Sequence, residues 1–373
     1  MIYINKTDSL EKLHCTYLWG AGKFAEKMLS RFGNEIAAMG IQGFIDNRAQ
    51  KNEETFCGYQ VYAPKVLEQS GKCHIIIMCD HFREIVRQIE KQYSENVYRC
   101  ESYHFFIKYR LLARYQNSKD CEIRELLAYI KNESLQVFNY PFVWDYYNTV
   151  YEIVFDQEKQ LFYAVFQGKK MYFCKRYGSR EQVERYLRQV IMEQDKSSPH
   201  CYLTNDFCVD DGAVVLDAGV ADGNFALSVI DKVKKIYLVE PDIEWLEALH
   251  YTFEPYMDKV VIIGKCLTNY QSEETVTVDN IVEETLDFLK MDIEGEEYYA
   301  LQGAADTIKR SKGMKCAVCT YHNEFDYFSI NSLLLQMGFQ TRPSRGYMWF
   351  PYDKDYFVNL PTFRRGLVRA EKR

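Results

Sequence analysis

With 373 residues, 47% of them hydrophobic and 27% charged, the chain has the composition of an ordinary soluble globular protein and is too long for one typical core, so more than one domain is expected. Its net charge of −7 comes from interspersed acids and bases, which leaves no broad basic field for nucleic acid or an anionic membrane. No apolar run approaches the roughly 18 to 20 residues of a membrane span, MIYINKTDSLEK holds no signal-peptide core, and the 12 cysteines are scattered, so a cytoplasmic protein with reduced thiols and no membrane span is expected.

In chain order, residues 15–19 form a strand candidate, followed by Gly20-Ala21-Gly22-Lys23-Phe24-Ala25 and a helical pattern through Leu29 and Phe32. Residues 43–46 supply a second strand with Asp46 at its tip, and residues 75–78 a third. Gly-x-Gly-x-x-Ala with an acid near the expected distance beyond it predicts a small Rossmann-like α/β domain, with a nucleotide site at Gly20, Gly22 and Asp46. The competing expectation is an orienting domain that kept the fold and lost the ligand. WGAGKFAEKML, GFIDN and GYQVYAPKVL resemble the short Rossmann-like domain at the front of sugar-modifying enzymes of surface-polysaccharide pathways, and that resemblance implies a nucleotide-sugar or related ligand.

Residues 93–148 are Tyr-rich and mainly helical in pattern, with Ile123, Leu126, Leu127 and Ile130 at core spacing, and they read as a connector. Residues 151–155, 161–166 and 171–174 alternate around turns and predict a β-meander whose rings fill a core or line a sugar site. An amphipathic helix over 181–192 then leads into Glu193-Gln194-Asp195-Lys196-Ser197-Ser198-Pro199-His200. Because this polar stretch stands just before the next strand, Asp195 and His200 are expected to reach substrate.

That next strand opens the stretch around which the chain is organised. Val214, Val215 and Leu216 form a short apolar run with Asp217 at its end, Gly219 and Gly223 allow a tight turn, and Phe225, Ala226, Leu227 and Ile230 begin a helix. A second strand, 236–239, closes on Glu240, where an acid grips the two hydroxyls of an adenosine ribose. A dinucleotide would need Gly-x-Gly-x-x-Gly. Here the spacing is Asp-x-Gly-x-x-x-Gly, and an acid in the leading place suits an amino group better than a phosphate, so S-adenosylmethionine is the expected cofactor.

Beyond Glu240, Pro241-Asp242 starts a helix with Trp245, Leu246 and Leu249 at core spacing. Residues 260–263 form the third strand, followed by Lys265-Cys266-Leu267 where an adenine ring is expected. Residues 286–291 form the fourth strand and end on Asp292-Ile293-Glu294-Gly295, which places Asp292 and Glu294 beside the cofactor, helix capping being the alternative for Glu294. The fifth strand, 314–320, brings His322 to the same rim. Cys316 and Cys319 lie on opposite faces of that strand, which excludes a shared metal or redox site. Residues 339–341, 347–350 and 366–369 read as late strands that finish the sheet.

DAGVADGNFAL, IYLVEPD, TVTVDNIVEETLDFLKMDIEGEEYYALQGA and CTYHNEF resemble the FkbM-type family of S-adenosylmethionine-dependent methyltransferases, and EQDKSSPH resembles a segment before the cofactor motif in members from carbohydrate gene clusters. The resemblance covers roughly 150–370 and implies an α/β, seven-stranded, Rossmann-like class I methyltransferase fold at 206–373, preceded by a connector at 101–205 and the small domain at 1–100. It implies that Asp217, Gly219, Asp222, Gly223, Asn224, Glu240, Pro241, Leu267 and Asp292 hold the cofactor, and that Asp292, Glu294 and His322 face the reacting centre. The implied reaction is O-methylation of a small-molecule or saccharide hydroxyl. A hydroxyl needs either a base or a metal, so Asp292, Glu294 and His322 are expected either to supply the base or to hold a divalent ion. Two other classes stay open, a non-catalytic tandem nucleotide-binding scaffold and a nucleotide-sugar enzyme centred on 20–46. Neither oligomeric state nor acceptor identity is legible.

Overall fold

The computed structural model describes residues 15–49, 55–79, 81–350 and 361–372, which divide into two compact units between Gln136 and Val137, with 362–372 returning to the second. In the first unit the chain runs through β1 (Thr16–Trp19), α1 (Lys23–Met39), β2 (Gly43–Ile45), β3 (Thr55–Phe56), β4 (Tyr59–Tyr62), β5 (Cys73–Ile77), α2 (Phe82–Gln92), β6 (Val97–Ser102), α3 (His104–Tyr115) and α4 (Cys121–Asn132). The strand order is β3-β4-β2-β1-β5-β6, parallel except for the β3-β4 hairpin. The sequence pattern located β1, β2 and β5, whose residues are buried on both faces. It missed β4 and β6, where only some positions are buried and the apolar run is broken.

In the second unit, α5 (Val143–Tyr147) precedes the antiparallel meander β7 (Ile153–Asp156), β8 (Leu161–Phe166) and β9 (Lys169–Tyr172), and α6 (Arg180–Glu193) follows. Then come β10 (Val214–Ala218), α7 (Asn224–Val229), β11 (Lys235–Val239), α8 (Ile243–Phe253), β12 (Val260–Ile263), the short pair β13 (Cys266–Leu267) and β14 (Thr275–Val276), and α9 (Val278–Ile281). The chain ends through β15 (Phe288–Met291), α10 (Glu297–Gln302), α11 (Ala305–Arg310), β16 (Lys315–Cys319), α12 (Asp326–Gln336), β17 (Phe339–Pro343) and β18 (Leu367–Lys372). The seven-stranded sheet has the order β12-β11-β10-β15-β16-β18-β17, with only β18 antiparallel to its neighbours. That order is the class I methyltransferase arrangement, and its direction reverses between β10 and β15, where an open α/β sheet binds its ligand.

Two hydrophobic layers cover the sheet. Val215, Leu238, Phe288 and Cys319 face the meander, α7 and α8, whereas Leu216, Val239, Met291 and Cys316 face the side of α10, α11 and α12. Burying each such side chain contributes about 1.5–3 kcal/mol, so the strands are committed to one register. Cys316 and Cys319 thus lie in opposite layers, as strand periodicity requires.

Two expectations are corrected. Residues 347–350 do not join the sheet, because Met348 makes only an isolated bridge to Arg364, and β17 itself reaches Pro343 at the edge, where a missing N–H costs little. Residues 101–205 do not form a separate connector: α3 and α4 belong to the first unit, and the meander packs into the core of the second.

Candidate active site

The turn after β10 is built on two glycines. Gly219 has φ +73°, and a Cβ there would lie 1.7 Å from the Asp292 carbonyl oxygen, so the β10 and β15 ends approach as closely as bare backbone permits. Gly223, at φ +83°, caps α7 with its backbone packed on Phe253 and Leu249. Glu240, at the tip of β11, closes the turn from the far side: Oε2 accepts from Ala221 N at 2.9 Å and Oε1 from Asp242 N at 2.9 Å. Each oxygen retains a lone pair for a further donor. Asp222 is turned inward, accepting from the N–H of Asn224, the first residue of α7, at 2.9 Å and from the Tyr186 hydroxyl at 2.8 Å. Pro241 is exposed beside it, and Leu267 is buried in the layer with Leu301 and Ala304.

Asp217 is fully buried and stands directly opposite Lys290 in the parallel β10-β15 register. The Lys290 ammonium sits 3.0 Å from its carboxylate and donates to the Gly219 carbonyl at 2.5 Å, so one cation ties strand end to turn. Burial pushes Asp217 up to about 6 against the opposing pull of Lys290. Nothing in the apolar periodicity named Lys290, yet a lysine inside the buried strand FLKM requires an anionic partner, and that was the available signal.

Beyond the turn, Asp292 collects four donors. Its Oδ2 faces the Tyr202 hydroxyl at 2.8 Å and His200 Nε2 at 3.3 Å, and its Oδ1 faces the Tyr321 hydroxyl at 3.1 Å and His322 Nε2 at 3.4 Å. Burial alone would raise this acid, but His200, His322 and Lys290 hold it well below the usual carboxylate range. His322 directs its other nitrogen, Nδ1, at the fully buried Glu297, 3.0 Å away. Burial lowers its basicity, yet Glu297, Asp292 and Glu294 outweigh burial and raise it to about 9. His322 is therefore an imidazolium bridging two carboxylates at neutral pH.

His200 is placed differently. Residues 195–202 fold back under the sheet, where Arg369 donates to the Cys201 and Tyr202 carbonyls and Gly366 packs against Pro199. His200 is buried, with Nε2 toward Asp292 and the Cys319 thiol 3.6 Å from the same nitrogen, while Nδ1 has no hydrogen-bond partner among the described residues and lies 3.9 Å from Glu193 Oε2. Asp195, expected to reach substrate, instead organises the loop, accepting from Ser197 N at 2.7 Å and from the Tyr146 hydroxyl at 2.6 Å. Glu294 occupies a left-handed turn, φ +58°, and its side chain is 89% exposed, with a carboxylate oxygen 3.8 Å from His322 Nε2. The structure thus joins Asp292, His322 and His200 and sets Glu294 at the rim. It adds Tyr202, Tyr321, Glu297 and Lys290, none of which was singled out from sequence.

The same geometry tests the fit of a divalent ion. One ligand atom each of Asp292, Glu297 and His322, and of His200, Asp292 and Cys319, lies within 4.8 Å of the others, but His322 turns opposite ring nitrogens to Asp292 and Glu297 and the Asp292 oxygens already face four donors. The residues fit an ionic bridge better than a metal centre. An Asp292→Asn substitution removes the anion between two imidazoles, and urea unfolding is expected to report a loss of roughly 3–5 kcal/mol, the usual cost of breaking a buried ion pair. A loss below about 1 kcal/mol would mean that the carboxylate is not the hub.

Comparison with known proteins bears on this unit. Residues 262–341 match the methyltransferase FkbM domain, and residues 15–98 match the family described as C2185-like, N-terminal. No curated protein matches the chain. Among solved structures, a methyltransferase FkbM from Methylobacillus flagellatus KT is 14% identical, with 96% of this chain and 90% of that one covered and a TM-score of 0.43. A Streptococcus mutans protein solved in complex with SAH is 16% identical, with 44% of this chain and 91% of that one covered and a TM-score of 0.31. The rRNA methylase of Streptococcus thermophilus is 19% identical, with 44% and 89% covered and a TM-score of 0.31. The second unit, with the class I strand order and the acid-tipped glycine turn already described, is similar over residues 262–341 to the methyltransferase FkbM domain.

Proposed function

We propose that the second unit transfers a methyl group from S-adenosylmethionine to a hydroxyl of a saccharide or saccharide-containing acceptor. The observation that carries this reading is the turn at the sheet's switch point, where Gly219 leaves bare backbone against Asp292 while Glu240 reaches across from β11 with lone pairs to spare. Support for the acceptor class comes from the carbohydrate-cluster resemblance of EQDKSSPH, whose His200 meets Asp292. Among the described residues no helix is long and apolar enough to cross a membrane.

When bound, S-adenosylmethionine supplies a methyl group already made electrophilic by its sulfonium. The chain's task is alignment and removal of one proton, and alignment supplies several kcal/mol of the barrier. As the acceptor oxygen forms its bond to carbon and the sulfur–carbon bond breaks, the hydroxyl proton needs a lone pair. His322 offers none at neutral pH, because both its nitrogens face carboxylates. His200 likewise faces a carboxylate at each nitrogen, Asp292 at 3.3 Å and Glu193 at 3.9 Å, and its Nδ1 is buried. In this mechanism Asp292 orients the two histidines, and Glu294, exposed at the rim 3.8 Å from His322 Nε2, accepts the proton. Of the three groups expected from sequence to supply the base, Asp292, Glu294 and His322, this reading favours Glu294.

Calorimetric titration with S-adenosylmethionine and S-adenosylhomocysteine tests the cofactor. Micromolar binding to wild type is expected, with Glu240→Ala weakening it at least about 30-fold by removing a charge-assisted hydrogen bond. Absence of binding to either compound defeats the reading. Once an acceptor is found by screening, Glu294→Gln is expected to lower kcat by about 100-fold or more with cofactor affinity unchanged. A Glu294→Gln rate near wild type would remove Glu294 from the chemistry, and loss of activity on chelation of divalent ions would restore the metal.

A further inference from the structure

At the carboxyl ends of the first unit's strands, Gly20, Gly22 and Asp46 line one cleft, and the Asp46 carboxylate there accepts from Ala21 N at 2.9 Å and from Arg48 Nη2 at 3.0 Å. The amino ends of the same strands hold two cysteines. Cys15 immediately precedes β1 and Cys73 opens β5. The parallel register pairs Thr16 with His74, so one step earlier on each strand the cysteines are direct neighbours on one face, and His74 N donates to the Cys15 carbonyl at 2.8 Å. Paired strands lie about 4.8 Å apart, inside the Cα separation of roughly 4.4–6.8 Å that a disulfide spans. The two sulfurs are 2.8 Å apart, so the covalent separation of about 2.05 Å is reached by a side-chain movement of less than about 1 Å, with the strands in place.

The two thiols are not equivalent. Cys73 is fully buried, with its sulfur 3.7 Å from the Ser70 carbonyl and 3.6 Å from the Gly71 carbonyl, and burial, reinforced by the contact with Cys15, pushes its thiol far above the ordinary value. The chain over it is fixed by Ser70, whose hydroxyl donates to the Val66 carbonyl at 2.6 Å and meets the Tyr17 hydroxyl at 3.1 Å. Cys15 is only partly buried, and its sulfur is the one a reagent in solvent reaches first. An accessible thiol against a protected one divides the roles of thiol–disulfide exchange, Cys15 attacking and Cys73 resolving. The segment between them carries α1 and β2 to β4, so a bond across it closes a loop of roughly 60 residues, and a disulfide over such a loop stabilises mainly by constraining the unfolded chain.

We propose that Cys15 and Cys73 are a redox-responsive dithiol, converted to a cross-strand disulfide by a small-molecule disulfide of the glutathione class and returned to two thiols by an excess of thiol. Cys15 gives its proton to solvent, and its sulfur attacks one sulfur of oxidised glutathione, whose S–S bond breaks to release one glutathione thiolate. Cys73 then attacks the Cys15 sulfur, the mixed disulfide breaks, and the second glutathione thiolate takes the Cys73 proton. Two protein thiols and one oxidised glutathione become one protein disulfide and two reduced glutathiones. The reduced thiols expected from sequence then describe this pair only in a reducing medium.

The test incubates the full chain with oxidised glutathione, air excluded, then alkylates the remaining thiols under denaturing conditions and maps the peptides without reductant. In wild type the peptides of Cys15 and Cys73 are expected to be joined in most chains, and to separate again with excess dithiothreitol. The exposed Cys57, Cys121 and Cys266 take glutathione singly and are scored apart. Cys73→Ser is expected to stop at the mixed disulfide, with at least about tenfold more glutathione on Cys15 than in wild type, where the neighbouring thiol removes it. Cys15→Ser should leave Cys73 free of glutathione, because its sulfur is buried. A wild-type map in which Cys15 and Cys73 stay unjoined, or in which either is joined mainly to another cysteine, overturns the proposal, and that reading needs no variant to fold. Equal glutathione on Cys15 in wild type and Cys73→Ser would overturn it as well. Every readout is independent of methyl transfer.

Discussion

Gly219→Ala is expected to abolish detectable S-adenosylhomocysteine binding and to destabilise the second unit by about 3 kcal/mol or more. Two costs coincide at this residue. An alanine at φ +73° pays the left-handed backbone penalty, roughly 1 to 2 kcal/mol, and its Cβ lands 1.7 Å from the Asp292 carbonyl oxygen, which belongs to a buried strand end and cannot rotate away. Relief requires the ends of β10 and β15 to part, and that breaks the Lys290 link between Asp217 and the Gly219 carbonyl. Gly223→Ala is the control. Its Cβ would meet a Phe253 ring carbon at 2.9 Å, a side chain that can swing by a few tenths of an ångström, so a smaller loss is expected despite a similar φ of +83°. Urea unfolding with calorimetry on both variants decides the matter. Equal effects at the two positions, or cofactor affinity within about threefold of wild type in Gly219→Ala, would mean that the strand-end approach does not shape the cofactor site.

The second large effect concerns His322 and pH. Its folded value of about 9 lies above the ordinary imidazole value of 6.5, so its contribution to stability is fully present below about pH 6.5 and is lost as pH rises through about 9. The span of the shift corresponds to roughly 3 kcal/mol at the acid end, since each unit is about 1.4 kcal/mol. The groups facing the ring are Asp292, Glu297 and Glu294, with the Tyr321 ring packed beside it. His322→Gln is therefore expected to cost roughly that amount at pH 6, and much less at pH 9.5, where the wild-type ring has also lost its proton. Chemical denaturation of both proteins from pH 6 to pH 9.5 measures it. A difference between them that does not shrink with rising pH would show that His322 is not held as an imidazolium. Loss of stability without loss of methyl transfer at pH 9.5 would separate its structural role from catalysis.

Much of the second unit was readable because its signals are local. The run Val214-Val215-Leu216, the turn glycines and the acid of Glu240 follow one another within a single strand-turn-helix-strand, and short-range sterics alone force them to one sheet edge. The order β12-β11-β10-β15-β16-β18-β17 could be anticipated from alternating strand and helix patterns, since parallel neighbours require crossovers. The edge strands of the first unit were harder to read, because half-buried positions in β4 and β6 weaken the apolar run that marks a parallel strand. Residues 347–350 misled for the opposite reason, being aromatic enough to read as strand while packing as a loop against β-sheet residues.

What the sequence determined by itself was the class of the fold and the place of the acid-tipped glycine turn at the sheet edge, because backbone sterics and apolar period act over a few neighbouring residues. What only the tertiary structure decided was which carboxylates remain available. Asp46 is spent on Arg48, Asp217 on Lys290, Asp222 on Tyr186 and the start of α7, and Asp292 on two tyrosines and two histidines. An acid's usefulness depends on what lies within about 3 to 4 Å of it, where charge-assisted bonds and burial shift its protonation most. The partners of Asp292 come from residues 90 positions before it and 30 after, a distance in the chain that no local pattern spans.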